Sequence, residues 1–284
     1  MKKLNPAVRL ILFTGIFCYG FSLFAQSLQT LAIKQKEDSL QILFKQITKS
    51  KNDTEKKTVN RQIIKLMQNA VETNGSFTYP FDSLKNLGKI KSNDDLVRIF
   101  TWDLTYNDGT YEYFGFIQYH LKNQFLVFPL IDKRTEITDC ENAALNNQYW
   151  YGALYFEVVT QKINKKTYYT LLGWDGNNDF TTKKLIDILY FDTNGYPFFG
   201  AQIFSYEKKT PYRVVFEFSK KTTMSLKYDK SKDAIVFDHL SPSKPEYTGQ
   251  YQFYGPDFSY DGFIFTKGLW TYKMDLDMRN PKKK

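Results

Sequence analysis

The sequence predicts an α+β fold that is mainly β, with an N-terminal helical hairpin and then a large antiparallel β-domain built as a sandwich, an open barrel or a long meander. Three observations lead there. From Ser27 to Glu72 there is no Gly or Pro, and apolar residues recur at helical spacing. From about Ser92 onward, short runs of Val, Ile, Phe, Tyr and Thr alternate with Gly, Asn, Asp and Pro clusters, and helical periodicity disappears. Aromatic residues make up 18% of the chain, which supplies ring surface for a large core. The expected division is 1-25, 26-75 and 76-284.

The first segment reads as a secretory signal peptide. Lys2, Lys3 and Arg9 precede an apolar run from Leu10 to Phe24 that ends in Leu23-Phe24-Ala25, so cleavage is expected after Ala25 and a mature chain from Gln26. The run is too short and too one-sided in its flanks for a transmembrane span. A lipidated Cys18 is disfavoured, because Phe17 stands where a small residue is needed and Cys18 lies inside the apolar stretch. The sequence thus points to an exported protein. Cys140 would then be the only mature cysteine, which excludes a disulfide within one chain and leaves the core to hold the fold. The formal charge of +9 falls to +6 when the three basic signal residues are removed. Such a balance favours anionic envelope partners over nucleic acid, or serves solubility alone.

Within 26-75, Leu28, Ala32, Leu40, Leu43 and Ile47 mark one amphipathic helix, and Val59, Ile63, Met67 and Ala70 mark a second. Asn52 followed by Glu55 reads as a capping box for the second helix, and Asn74-Gly75 as its stop. Their stripes should face each other or the following domain. Gln35, Lys36 and Ser39 interrupt the seam that a coiled coil with another protein would need.

In the β-domain, Asn107-Asp108-Gly109 separates Leu96–Tyr106 from Thr110–Tyr119, and Asp192-Thr193-Asn194-Gly195 separates Leu185–Phe191 from Pro197–Phe204. Further turns fall at Asn164-Lys165-Lys166, at Asp229–Asp233 and at Lys267-Gly268. Tyr212–Ser219 alternates, with Tyr212, Val214, Phe216 and Phe218 on one face and Arg213, Glu217 and Ser219 on the other, so it should be half exposed. Leu185–Phe191 is apolar on both faces except for Asp187, as in a central strand covered on both sides. Thr135–Tyr149 is an irregular interlude.

The densest polar turn chemistry spans Leu171 to Lys184. Asp175, Asn177 and Asp179 have the 1, 3, 5 spacing of a calcium loop, but Phe180 stands at the glycine position and Ile186 where a bidentate Glu would close the site. A metal-free turn held by Asx hydrogen bonds is therefore expected. Trp174, Asp175, Asn177 and Asp179 remain the candidate ligand-binding residues. Around this loop the chain also resembles exported proteins of Bacteroidota, through Ser-Leu-Phe-Ala-Gln at the signal end, Tyr169–Asn178, Lys183–Asp187 and Tyr254-Gly255-Pro256-Asp257. The resemblance implies a diderm envelope, with a periplasmic or outer-membrane-associated location, and the same architecture, and it transfers no activity and no catalytic residue.

No Gly-x-Ser-x-Gly elbow, His-Glu-x-x-His helix or phosphate-cradling loop occurs, and two histidines, His120 and His239, cannot build a multi-histidine metal site. No metal, cofactor or catalytic residue is assigned. Cys140 paired with a histidine, or two carboxylates, would be the parts of a hydrolase, although Asp139 and Glu141 should raise the thiol pKa. Tyr149-Trp150-Tyr151, Tyr168-Tyr169, Trp174, Tyr251, Tyr254, Tyr260, Trp270 and Tyr272 offer rings for stacking on sugars or anchoring a partner, or else core. Three coplanar rings open on one face would mark a binding site. The reading that follows is an exported envelope protein acting by binding or as a scaffold, with an envelope protein or glycan as partner; the alternative is a periplasmic hydrolase.

Overall fold

A computed structural model describes the backbone of residues 6–122 and 124–278 and the side chains of 28–122 and 124–278. The signal peptide and its cleavage site lie outside the residues whose side chains are described. Two helices, α1 (Pro6–Lys49) and α2 (Asp53–Glu72), precede a β-domain, and the chain divides into compact units at Lys85/Asn86. Among the described residues, no helix is long and apolar enough to cross a membrane.

In the helical unit, the side chain of Asn52 accepts from the Glu55 N–H at 3.1 Å and starts α2 as the capping pattern requires, while Gly75 takes φ +87° just beyond its end. The buried face of α2 is the expected one: Val59, Ile63, Met67 and Ala70. In α1 the stripe instead runs through Ile33, Glu37, Leu40 and Phe44, and Leu28 is exposed. Burying Glu37 is possible because both its oxygens are bonded. Tyr79 donates to it at 2.6 Å and the Ser83 N–H at 2.7 Å, which folds residues 76–84 back on the hairpin.

Among the described residues, the β-domain consists of three sheets. The first is an antiparallel meander of β1 (Gly88–Lys91), β2 (Val97–Thr105), β3 (Tyr111–Leu121) and β4 (Gln124–Ile131). The second runs β5-β9-β8-β7-β6, from β5 (Leu145–Asn146), β6 (Leu154–Ile163), β7 (Lys166–Asp175), β8 (Thr181–Phe191) and β9 (Pro197–Phe199). The third contains β10 (Phe204–Ser205), β12 (Leu226–Asp229), β13 (Ala234–Pro242), β14 (Tyr254–Thr266) and β15 (Leu269–Lys273) in the order β10-β15-β14-β13-β12; β10 pairs in parallel with β15 and the other pairs are antiparallel. The remaining strand, β11 (Val214–Ser219), joins β8 beside β9: β9 takes Leu189–Phe191 and β11 takes Thr181–Ile186.

Every turn read from the sequence joins two of these strands. Asn164 and Lys165 both have positive φ, as do Lys267 and Gly268, the backbone form whose twist matches a tight antiparallel hairpin.

The second sheet is the middle layer. Leu171, Leu185, Leu189 and Tyr155 pack with Ile99, Tyr113 and Ile117 of the first sheet. Leu172, Ile186, Ile188 and Phe216 pack with Ile235, Phe237, Phe263 and Trp270 of the third. Alternate residues of β8 thus enter two different cores, which is why its sequence shows no polar face.

The expected single run Pro197–Phe204 is split between β9 and β10 in two sheets, and the reading of Arg213 is also corrected. Arg213, just before β11, is not on a solvated face: Arg213 and its ion-pair partner Asp187 are both 0% exposed, with Nε 3.2 Å from Asp187 Oδ1, while Glu217 on that face is half-buried. The Arg213 Nη1 donates to the carbonyls of Cys140 and Ala143, and Tyr155 and the Ile188 N–H donate to Asp187. Gly200, at φ +85°, admits the guanidinium, since a Cβ there would lie 2.9 Å from Nη2. The alternating pattern of β11 gave no sign that a second segment would cover it.

Removing one partner strands the other charge in the core, so Asp187→Ala is expected to cost about 3 to 5 kcal/mol in urea unfolding. The double replacement Asp187→Leu with Arg213→Met should recover part of this and stay below wild type, because two interlude carbonyls lose their donor. A cost below about 1 kcal/mol for the single change would mean the pair is not what holds β8 to the interlude.

Candidate functional site

The loop singled out in the sequence joins β7 to β8, and the structure gives its residues separate tasks. Asp175 is 0% exposed. Its carboxylate accepts from Arg134, from the hydroxyls of Tyr113 at 3.1 Å and Tyr151 at 3.0 Å, and from the Asn177 N–H at 2.8 Å. Burial, and then the charge of Asp175, hold the Tyr113 and Tyr151 hydroxyls far above the usual tyrosine pKa, so both remain donors. Asn177 turns away toward Thr181 at 2.6 Å and Glu217 at 3.1 Å. Asp179 is exposed, 3.9 Å from Lys220, and packs where a Cβ on Gly109 would collide with it. Trp174 is half-buried and stands edge-on to Tyr111. The 1, 3, 5 oxygens therefore do not converge; among the described residues no group of three or more acidic, His or Cys side chains is arranged to hold a metal ion.

Asx geometry holds the turn: Asn178 Oδ1 accepts from the Phe180 N–H at 2.8 Å and the Thr181 N–H at 2.9 Å. The loop is also tied to the turn after β11. The Lys220 N–H donates to the Phe180 carbonyl at 3.0 Å, and its ammonium to the Asn178 carbonyl at 2.8 Å.

That turn forms one wall of an open groove of about 400 Å³. Ser219 and Thr222 line this side. The other side is a two-stranded ribbon, where β13 and β14 continue past the rest of their sheet with Ser241 opposite Gly255 and Pro242 opposite Tyr254. Ser241, Ser243, Gln252, Phe253, Tyr254 and Pro256 face the groove. The loop at the ribbon end folds on itself: the Ser243 N–H donates to the Phe253 carbonyl, Tyr247 stacks on Phe253 with centroids 4.1 Å apart, and the Gly249 N–H donates to the Tyr254 hydroxyl at 2.9 Å. The lining combines hydroxyls, one amide and two aromatic rings, and it includes no carboxylate, histidine or thiol.

The groove was legible only through Tyr254 and the Tyr254–Asp257 segment; Ser219, Thr222 and Ser241 carry no sequence signal. Of the rings proposed for stacking, Trp150, Tyr151, Tyr169 and Trp270 are buried, while Tyr149, Tyr251 and Tyr260 are exposed. Tyr251 is tilted 56° from half-buried Tyr254.

Cys140 is half-buried in the interlude, which forms two short 3₁₀ turns at Arg134–Glu136 and Cys140–Asn142. Burial raises its thiol pKa; Arg213 opposes this and Glu141 adds to it. Its part-buried side chain packs against the first core. Compared with family models, curated proteins and solved structures, the chain matches none.

Asp175→Ala is expected to lower the melting temperature by several degrees, the effect of losing a buried partner of Arg134. Calcium should leave the wild-type melting temperature unchanged; a rise that Asp175→Ala abolishes would restore the metal reading. Cys140→Ser should cost no more than about 1 to 2 kcal/mol. The wild-type thiol should also react slowly with a thiol reagent at neutral pH, because the thiolate is disfavoured.

Proposed function

We propose that this is an exported protein of the cell envelope that acts by binding, and that the groove beside the β13–β14 ribbon takes a hydroxyl-rich envelope glycan. The observation that carries this reading is the groove lining. Serine and threonine hydroxyls and the Gln252 amide can exchange hydrogen bonds with sugar hydroxyls, and Phe253 and Tyr254 offer ring surface to a sugar's C–H face. Export rests on the N-terminal pattern of Lys2, Lys3 and Arg9 before an apolar run ending at Ala25.

A periplasmic hydrolase is the second reading, and its parts are poorly placed. Asp175 and Asp187 are committed to arginines, and the Cys140 pKa is raised. None of the three lines the groove.

The test is titration of the mature chain with soluble peptidoglycan and lipopolysaccharide-derived oligosaccharides, alongside fractionation of cells. Saturable binding that Phe253→Ala with Tyr254→Ala weakens about tenfold or more is expected, with the protein recovered outside the cytoplasm and starting near Gln26. Binding untouched by the double substitution would remove the groove from the function. Glycan turnover abolished by Cys140→Ser would favour the hydrolase.

A further inference from the structure

Next to the groove the ribbon carries an irregularity that a binding surface alone does not require. Tyr260 faces Asp238, but Pro256 faces Leu240, so β14 bulges through Asp257, Phe258 and Ser259 opposite His239. Phe258 has φ +73° and is 96% exposed. A bulky side chain is disfavoured in that conformation and gains nothing here from burial, so the bulge must be held by its neighbours.

His239 is the side chain placed to hold it. Its Nδ1 lies 2.7 Å from Asp261 Oδ2, and its Nε2 lies 3.9 Å from Asp257 Oδ2. Asp261 is anchored: it accepts from the Tyr272 hydroxyl at 2.6 Å and from the Asp275 N–H at 3.1 Å. Asp257 belongs to the bulge and accepts from the hydroxyl and N–H of Ser259. The imidazole thus stands between a fixed carboxylate and a bulge carboxylate. An imidazolium presents an N–H to each; a neutral ring donating to Asp261 turns a lone pair toward Asp257.

We infer that His239 is a protonation-dependent latch for the groove: charged, it ties the Asp257 bulge to Asp261, and neutral, it frees the bulge and the adjoining Tyr254–Pro256 wall. The consequence for ligand rests on the binding reading above; the latch itself does not. The Asp261 hydrogen bond raises the His239 pKa above 6.5 against partial desolvation, and the charges of Asp261, Asp257 and Asp275 add to it. Tyr272, raised by burial and by Asp261, stays a neutral donor, while Asp257 stays ionised. A group with a raised folded pKa stabilises fully below its unfolded value and loses that contribution as pH rises through the folded one. The latch is therefore closed below about pH 6.5 and opens on the alkaline side.

Amide hydrogen exchange of residues 254–260 in the full chain, corrected for intrinsic rates, tests this between about pH 6 and about pH 9. Protection of that segment in the wild type should fall about two- to fivefold at the higher pH, the range for a half-exposed charge pair. His239→Gln should be poorly protected at both values, and Phe258→Gly, which relieves the backbone, should flatten the dependence. A flat wild-type profile, or an unchanged slope in His239→Gln, would overturn the latch. If exchange follows the expected pattern and no oligosaccharide binds, the latch stands and the binding reading falls; if oligosaccharide binds and exchange is flat, the reverse holds.

Discussion

The β-domain depends on two arginines that fasten its irregular interlude to the middle sheet. Arg134 ends at Asp175 and Arg213 at Asp187, and both carboxylates are fully buried on the face of that sheet toward the first sheet. The interlude itself has almost no ladder, contributing only the two-residue β5, so its backbone groups need other partners. Arg213 satisfies the carbonyls of Cys140 and Ala143, and the Glu141 carboxylate accepts from the Val215 N–H at 3.1 Å. A loop that would otherwise carry unsatisfied polar groups can thereby serve as a wall of the core. The arrangement is demanding, because each buried charge is tolerable only while its partner is present.

Once that wall is in place, the position of the candidate groove follows. Pairing of β11 with β8 puts Ser219 opposite Thr181, so the turn after β11 stands beside the Asn177–Phe180 loop. Lys220 joins the two turns, and Thr222 then lies beside Gly255 of the ribbon. The candidate groove is accordingly lined by three short segments, 219–222, 241–243 and 252–256, none of which is a chemical motif alone.

Much of the fold was readable because local chemistry specified it. Asn107-Asp108-Gly109, Asn164-Lys165 and Lys267-Gly268 demand positive φ and therefore turns, and the doubly apolar Leu185–Phe191 demands cover on both faces. What was not readable depends on partners far along the chain. Arg213 looked like the solvated side of an alternating strand, since no local pattern reveals that Cys140 and Ala143 will cover it. Nothing local marks Glu37 for burial either, because the groups that bond its oxygens, Tyr79 and the Ser83 N–H, lie more than 40 residues on. The Asp175, Asn177 and Asp179 spacing was visible, but whether three oxygens converge is set by backbone direction, and here it sends them to three different neighbours.

The middle layer also governs the order in which the chain can settle. The first sheet is a meander whose strands pair with their sequence neighbours, so it can form early and locally. The second sheet has no such freedom, because one of its faces is closed by strands that come later in the chain. One of the contacts that join them, the Trp270 indole donating to Thr170 at 2.9 Å, spans 100 residues. Until β15 arrives, the apolar side chains of Leu172, Ile186 and Ile188 face an unfinished layer. Nascent chains must therefore carry an uncovered sheet until nearly the last strand is made, which makes the interval before completion the time of greatest exposure to chaperones, proteases and misassociation.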